Sequence, residues 1–136
     1  MTSSALELQK AVFAVLASDP ALTGLLGDNA IHDHAPAHIA FPYVTFGRTS
    51  GFDWSTGTEA GNEHLFTLHI WSKAKGKTQA LEIVDAVHRV LHDAELTMTG
   101  HRLVNLREEY QEVRYDEDQA VHHGIVRYRA VTEEVA

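Results

Sequence analysis

Apolar positions along the chain follow two periods, and the switches between them mark out its elements. Over residues 4–18, "SALELQKAVFAVLAS", Leu6, Leu8, Val12, Phe13, Val15 and Leu16 fall on one half of a helical wheel. Glu7, Lys10 and Ala14 fall on the other half, as expected of an amphipathic helix. Ser4 followed three residues later by Glu7 has capping-box spacing. Pro20 cannot continue a preceding helix but can open a new turn, so "SDP" ends this helix and "PALTGLLG" suits a short helical turn closing at Gly27. Residues 30–40 then read as a loop or short extended piece carrying His32, His34 and His38.

The period changes to two in the next stretch. "FPYVTFGRT" at 41–49 is aromatic and β-branched, with Pro42 near its start, where a missing donor is tolerated. In "NEHLFTLHIW" at 62–71, Phe66, Leu68 and Ile70 alternate with Thr67 and His69. "KGKTQALEIVDAVHRVLHD" at 75–93 returns to helical spacing. Ala80, Ile83, Val84, Val87, Val90 and Leu91 form one side; Glu82, Asp85 and Arg89 form the other, with Asp85 and Arg89 an i,i+4 pair. After a turn at 94–100, strand-like runs at 101–115 and 120–132 are joined by "DEDQ". In the last of them Val126, Tyr128 and Ala130 alternate with Ile125, Arg127 and Arg129.

The order α-β-β-α-β-β predicts one α+β domain over residues 1–136, two-layered. It consists of a mostly antiparallel four-stranded sheet with two helices on one face. Two features fit this layout poorly. The strand at 62–71 carries Leu65 and Trp71 on the face that should be free, so either a loop or a neighbouring subunit is expected to cover it. The connection "SGFDWSTGTEAG" at 50–61 is long for a hairpin, and its glycines predict mobility. Yet it carries Phe52 and Trp54 around Asp53. Exposed rings on such a loop are typical anchors for a partner, unless they fold back onto the sheet.

Composition narrows the chemistry. The chain has 136 residues, 44% of them hydrophobic, and no cysteine, which removes disulfides, thiolate metal sites and cysteine nucleophiles. Its net charge is −8, and only Lys10 and Arg48 among the basic residues lie in the first 72, against seven acids there. A basic stripe for phosphate is missing, so sequence-specific nucleic-acid binding is not expected. Neither a signal peptide nor a transmembrane stretch is read in the sequence.

Ten histidines raise the question of metal. "HRVLH" places His88 and His92 one helical turn apart, the zincin spacing, but Arg89 stands where the general-base Glu would be and repels a cation. "HDHAPAH" puts His32 and His34 on one side of an extended segment, with no third ligand identified. His122 and His123 point to opposite faces of a strand, and Glu108 and Glu109 likewise. No catalytic, cofactor-binding or metal set is identified, and the residues suggest a binding or structural module. A small metal-binding domain or metal-dependent enzyme is the alternative.

Taken in order, "ALELQKAVFAVL", "LTGLLGDNAIHDHAP", "FPYVTFG", "EHLFTLHIWSKAKGKTQALEIVDAVHRVLHD" and "HRLVNLREEYQEVRYDEDQAVHHGIVRYRAVTEE" resemble the small tail-completion proteins of siphophages, prophages and gene transfer agents. The resemblance spans about residues 4–133 and rests on order and spacing, with Phe41-Pro42-Tyr43-Val44, "LHIWS" and "GIVRYRAVTEE" its most telling pieces. It implies a tail terminator similar to those of lambda-type phages. Such a protein is a two-layer α+β subunit in a hexameric ring that caps the tail tube protein and faces the head connector. It also implies assembly in the bacterial cytoplasm, then residence in the released particle, with DNA passing through the ring. Interface candidates are Phe52, Asp53, Trp54, Leu65 and Trp71.

Overall fold

The structure, a computed structural model, describes residues 3–135. Three helices, α1 (Ser4–Ala17), α2 (Pro20–Leu26) and α3 (Thr78–Leu91), accompany six strands. These are β1 (Ile31–His32), β2 (Tyr43–Asp53), β3 (Gly61–Ser72), β4 (Thr97–Met98), β5 (His101–Asp116) and β6 (Val121–Glu134). The sheet order is β1-β2-β3-β6-β5-β4; β1 runs parallel to β2 and every other pair is antiparallel.

The α+β class holds, but the sheet is mixed and six-stranded rather than four-stranded, and there are three helices rather than two. Both extra strands are two residues long, too short for any period to show. β1 pairs Ile31 and His32 with Val44 and Thr45, inside the stretch expected to be loop. The turn after Pro20 is a seven-residue helix because Asp19 caps it, accepting the Leu22 N–H at 2.9 Å.

One face of the sheet is the core. Phe66, Leu68 and Ile70 of β3 and Val126, Tyr128 and Ala130 of β6 meet Ile83, Val84, Val87 and Leu91 of α3 and Leu8, Val12 and Leu16 of α1. Each large side chain so buried contributes roughly 1.5–3 kcal/mol. Gly124 lets α3 approach, since a Cβ there would lie 3.2 Å from both Val84 and Ile70.

α1 uses a narrower stripe than its sequence suggests. The buried row is Ser4, Leu8, Val12 and Leu16, joined by Glu7, whereas Leu6 and Phe13 are 42% and 44% exposed. Its cap is Ser3, one residue before the expected Ser4: the Ser3 hydroxyl accepts the Leu6 N–H at 3.2 Å. Ser4 instead faces the sheet and accepts from Asn62 at 3.1 Å.

The opposite face is organised around a bulge. Register shifts between Phe46 and Thr49 of β2, and a Cβ on Gly47 would overlap the His69 imidazole. His69 Nδ1 lies 2.7 Å from His123 Nε2, and the His123 ring stacks on Trp71 at 4.0 Å and 7°. Burial lowers the pKa of both imidazoles. His123, also opposed by His69 and Arg114, falls to about 4 despite the acids Asp116 and Glu112.

Two outcomes follow from this cluster. Gly47→Ala should lose about 1–3 kcal/mol in urea denaturation by displacing His69, whereas Gly51→Ala, with open space around its Cβ, should change stability by under about 1 kcal/mol. His123 is neutral in the fold and binds its proton more readily once unfolded. Its contribution is therefore fully present above the unfolded value of 6.5 and is lost as pH falls toward about 4. Between pH 7 and pH 5 the native chain should lose about 1–2 kcal/mol from this group, and His123→Phe should flatten that part of the stability curve.

Candidate interface surface

The stretch at 50–61 is not a mobile loop over its length. β2 continues to Asp53 and β3 begins at Gly61, so Phe52 pairs with Glu63, Asp53 pairs with Asn62, and only 54–60 form the turn. That turn is itself hydrogen-bonded. The Ser55 hydroxyl and, second to it, the Ser55 N–H (2.9 Å from Asp53 Oδ1) hold the Asp53 carboxyl below its ordinary value, and the Thr56 N–H donates to the Glu59 carbonyl at 2.9 Å. The result is a braced hairpin end, the β2–β3 arm, whose β3 strand stays paired with β6 up to Gly61.

Alternation along the arm separates its candidate residues. Phe52 shares the outer face with Glu63, while Asp53 is level with Asn62, whose amide reaches back to α1. Phe52 is 50% exposed and Trp54 52% exposed. The Arg129 guanidinium lies over the Trp54 ring at 5.3 Å and is bound to Glu63 by its Nε at 2.7 Å and a terminal nitrogen at 2.6 Å. Arg129 thus holds the root of the arm at two points, a role not visible from its place in the alternation of β6.

Leu65 is half-buried on the same outer face, between Ser50 and Arg129 in register. Trp71 lies six residues further along β3, about 20 Å away. It is held by His123 and by Thr45, whose hydroxyl accepts its indole N–H at 3.1 Å. Phe52, Trp54 and Leu65 therefore gather at one end of the face, and Trp71 belongs to a separate aromatic stack with Tyr43 and His69.

The helical histidines have structural partners. His88 and His92 stack at 4.7 Å; His88 Nδ1 is 3.1 Å from the Glu108 carboxylate, and His92 Nδ1 accepts the Glu108 N–H at 3.1 Å. They brace the end of α3 against β5. Arg89 points away, 3.7 Å from Asp85. His122 lies against Tyr115 and His123 against Trp71, on opposite faces as expected. Among the described residues no group of three or more His, Asp or Glu side chains converges in a way that could hold a metal ion. No described helix is long and apolar enough to cross a membrane.

An arm of aromatic and ion-paired residues at one end of a sheet can grip a protein surface. Comparison with known proteins agrees with a structural role. Of the solved structures, one of a virion of a native gene transfer agent particle contains a chain similar to this one. The two are 30% identical, with a TM-score of 0.88 over 97% of this chain and 99% of that one. No curated protein matches. The family described as tail completion protein gp17 matches residues 10–133, nearly the whole fold from α1 through β6, and the chain belongs to that family.

Proposed function

We propose that this chain is a structural tail protein of a phage-like particle, and within it the tail terminator. In this reading its copies form a ring, of six by resemblance, on the end of the tail tube. The ring stops tube growth and offers its other side to the head connector. The observation that carries the reading is the end-to-end likeness to a chain of a gene transfer agent virion, at 30% identity over 97% of this sequence. Membership of a tail completion family supports the same role.

The surface fits this role. Phe52 and Trp54 project on an arm braced by Arg129 and Glu63 rather than on a floppy loop, so docking them costs little further ordering. Leu65, half-buried at the arm's root, extends the same patch, and Trp71 lies on the same face at its far end. An acidic chain, with net charge −8, suits a ring through which DNA moves without adhering. The role requires no catalytic group, metal or cofactor. Particle assembly places the chain in the bacterial cytoplasm first and in the neck of the released particle afterwards.

Replacing both Phe52 and Trp54 by serine should leave the melting temperature within a few degrees of the native value, because the rings lie outside the core. Electron microscopy of particles made with this variant should show overlong, uncapped tails or tails without heads. Normal joined particles would remove the arm from the interface. Tails of normal length in particles lacking the chain altogether would sink the terminator reading itself.

A further inference from the structure

Both sides of the sheet end in a strand that is only partly covered. β1 pairs with Val44 and Thr45 alone, leaving the outward edge of β2 from Phe46 to Asp53 without a strand partner among the described residues. On the other side β4 pairs only with His101 and Arg102. The two residues after α3 take up Leu106 and Glu108, through the Asp93 N–H and His92 Nδ1. Beyond them β5 has no outward strand partner from Glu109 to Asp116 among the described residues.

Which groups face outward follows from two fixed points. The Val44 N–H donates to Ala30, so it points away from β3. The β3–β6 pairing is free of register shifts, so alternation carries through it unbroken, and Thr49, Gly51 and Asp53 also point outward. The Glu108 N–H, donated to His92, points away from β6, and the same count makes Gln111, Val113 and Tyr115 outward-facing. The two anchors, reached from opposite edges, assign β6 the same alternation. Each edge thus offers three residues whose outward backbone donors and acceptors have no partner among the described residues.

We infer that the outward edge of β2 in one copy pairs, antiparallel and head to tail, with the outward edge of β5 in a second copy, and that this pairing builds the ring. The inference rests on the terminator reading for the ring itself. Polarity supports a second copy as the occupant: β2 and β5 run in opposite directions in the sheet, so like-oriented copies meet antiparallel. Side chains support it too. Pairing Thr49 with Tyr115, Gly51 with Val113 and Asp53 with Gln111 brings Tyr115, 52% exposed in its own chain, beside Thr49 on the helix side. There Gln9, Lys10, Phe13, Asp33 and Phe46 line an open groove whose exposed surface is mostly apolar.

The stagger fits closure. Val113 is level with Ile70 through Gly124, and Gly51 is level with His64, six residues apart on β3. Pairing them offsets each copy by about 20 Å along the strands for every four strands, themselves about 19 Å across. Strands would then incline near 45° to the ring axis, at the upper end of the range that closed sheets adopt.

The chain has no cysteine, which makes the test direct. Particles are assembled with an equal mixture of a Thr49→Cys chain and a chain carrying Tyr115→Cys, Val113→Cys or Gln111→Cys, then oxidised and run without reductant. A mixed disulfide dimer in at least one register, and a ladder of higher species from the chain carrying both cysteines, is the expected result. Rings or capped tails that give no mixed disulfide in any register, or only Thr49→Cys with itself, would overturn the edge pairing while leaving the terminator reading intact. A strand of the tube protein on either edge would appear as a disulfide to that protein instead, and would also overturn it. In a second measurement, Gln111→Pro removes an outward donor and should keep its fold while losing the ring in light scattering; Glu112→Pro, which breaks the ladder to β6, should melt well below it. A Gln111→Pro chain that assembles like the native one would also overturn the proposal.

Discussion

The antiparallel ladder between β3 and β6 is the constraint on which the rest of the molecule depends. It runs without a register shift from Gly61 opposite Glu133 to Ser72 opposite His122, the longest regular pairing in the sheet. Because it is unbroken, its alternation holds along the whole length. Phe66, Leu68, Ile70, Val126, Tyr128 and Ala130 are committed to the helices, and Leu65, Trp71, His123 and Arg129 to the opposite face. A slip of one residue would exchange these sets. The helices bind to this ladder, and the two outer strands inherit from it which of their backbone groups point outward.

The ladder also buries polar groups that its geometry only partly satisfies. His64, 1% exposed, bonds Thr132 at 2.9 Å, and burial with His101 nearby lowers its pKa, so it remains neutral. The Tyr128 hydroxyl lies in the core without a hydrogen-bond partner among the described residues, and burial raises its pKa. Stacking on Phe66, at 5.4 Å between ring centres, is what Tyr128 gains there.

What the sequence revealed tracks how one-sided each element is. α3 was legible because its stripe of Ala80, Ile83, Val84, Val87 and Leu91 is wide and its other side charged. β3 and β6 were legible because one face is uniformly apolar. α1 misled at Leu6 and Phe13, since a wheel cannot tell an apolar residue that meets the core from one left at its margin. The β2 half of the arm read as a loop because its residues are largely exposed on both faces: with Ser50, Gly51 and Asp53 in it, no burial imposes alternation. The candidate aromatics were visible as residue types, but their support was not. Arg129 and Glu63 are 66 positions apart, and only the register of β3 against β6 brings them together. Family likeness was readable for a different reason: it lay in the order of segments, which survives where local patterns are weak.

An assembly protein carries an additional physical burden, because a strand edge left open for a partner is also open to aggregation. The placement of irregularities here answers that problem. β2 bulges between Phe46 and Thr49, just past the two residues that β1 covers. β5 shifts between Glu108 and Tyr110, just past the residue held by His92. Bulges bend and twist a strand where pairing stops, so each open stretch leaves the line of its own covered portion. Charged side chains on the β5 stretch, Glu112, Arg114 and Asp116, oppose flat stacking of unrelated edges further. A bent edge pairs well only with one bent to match, and that restriction permits strands to remain exposed in a free subunit while still favouring a specific neighbour in an assembled particle.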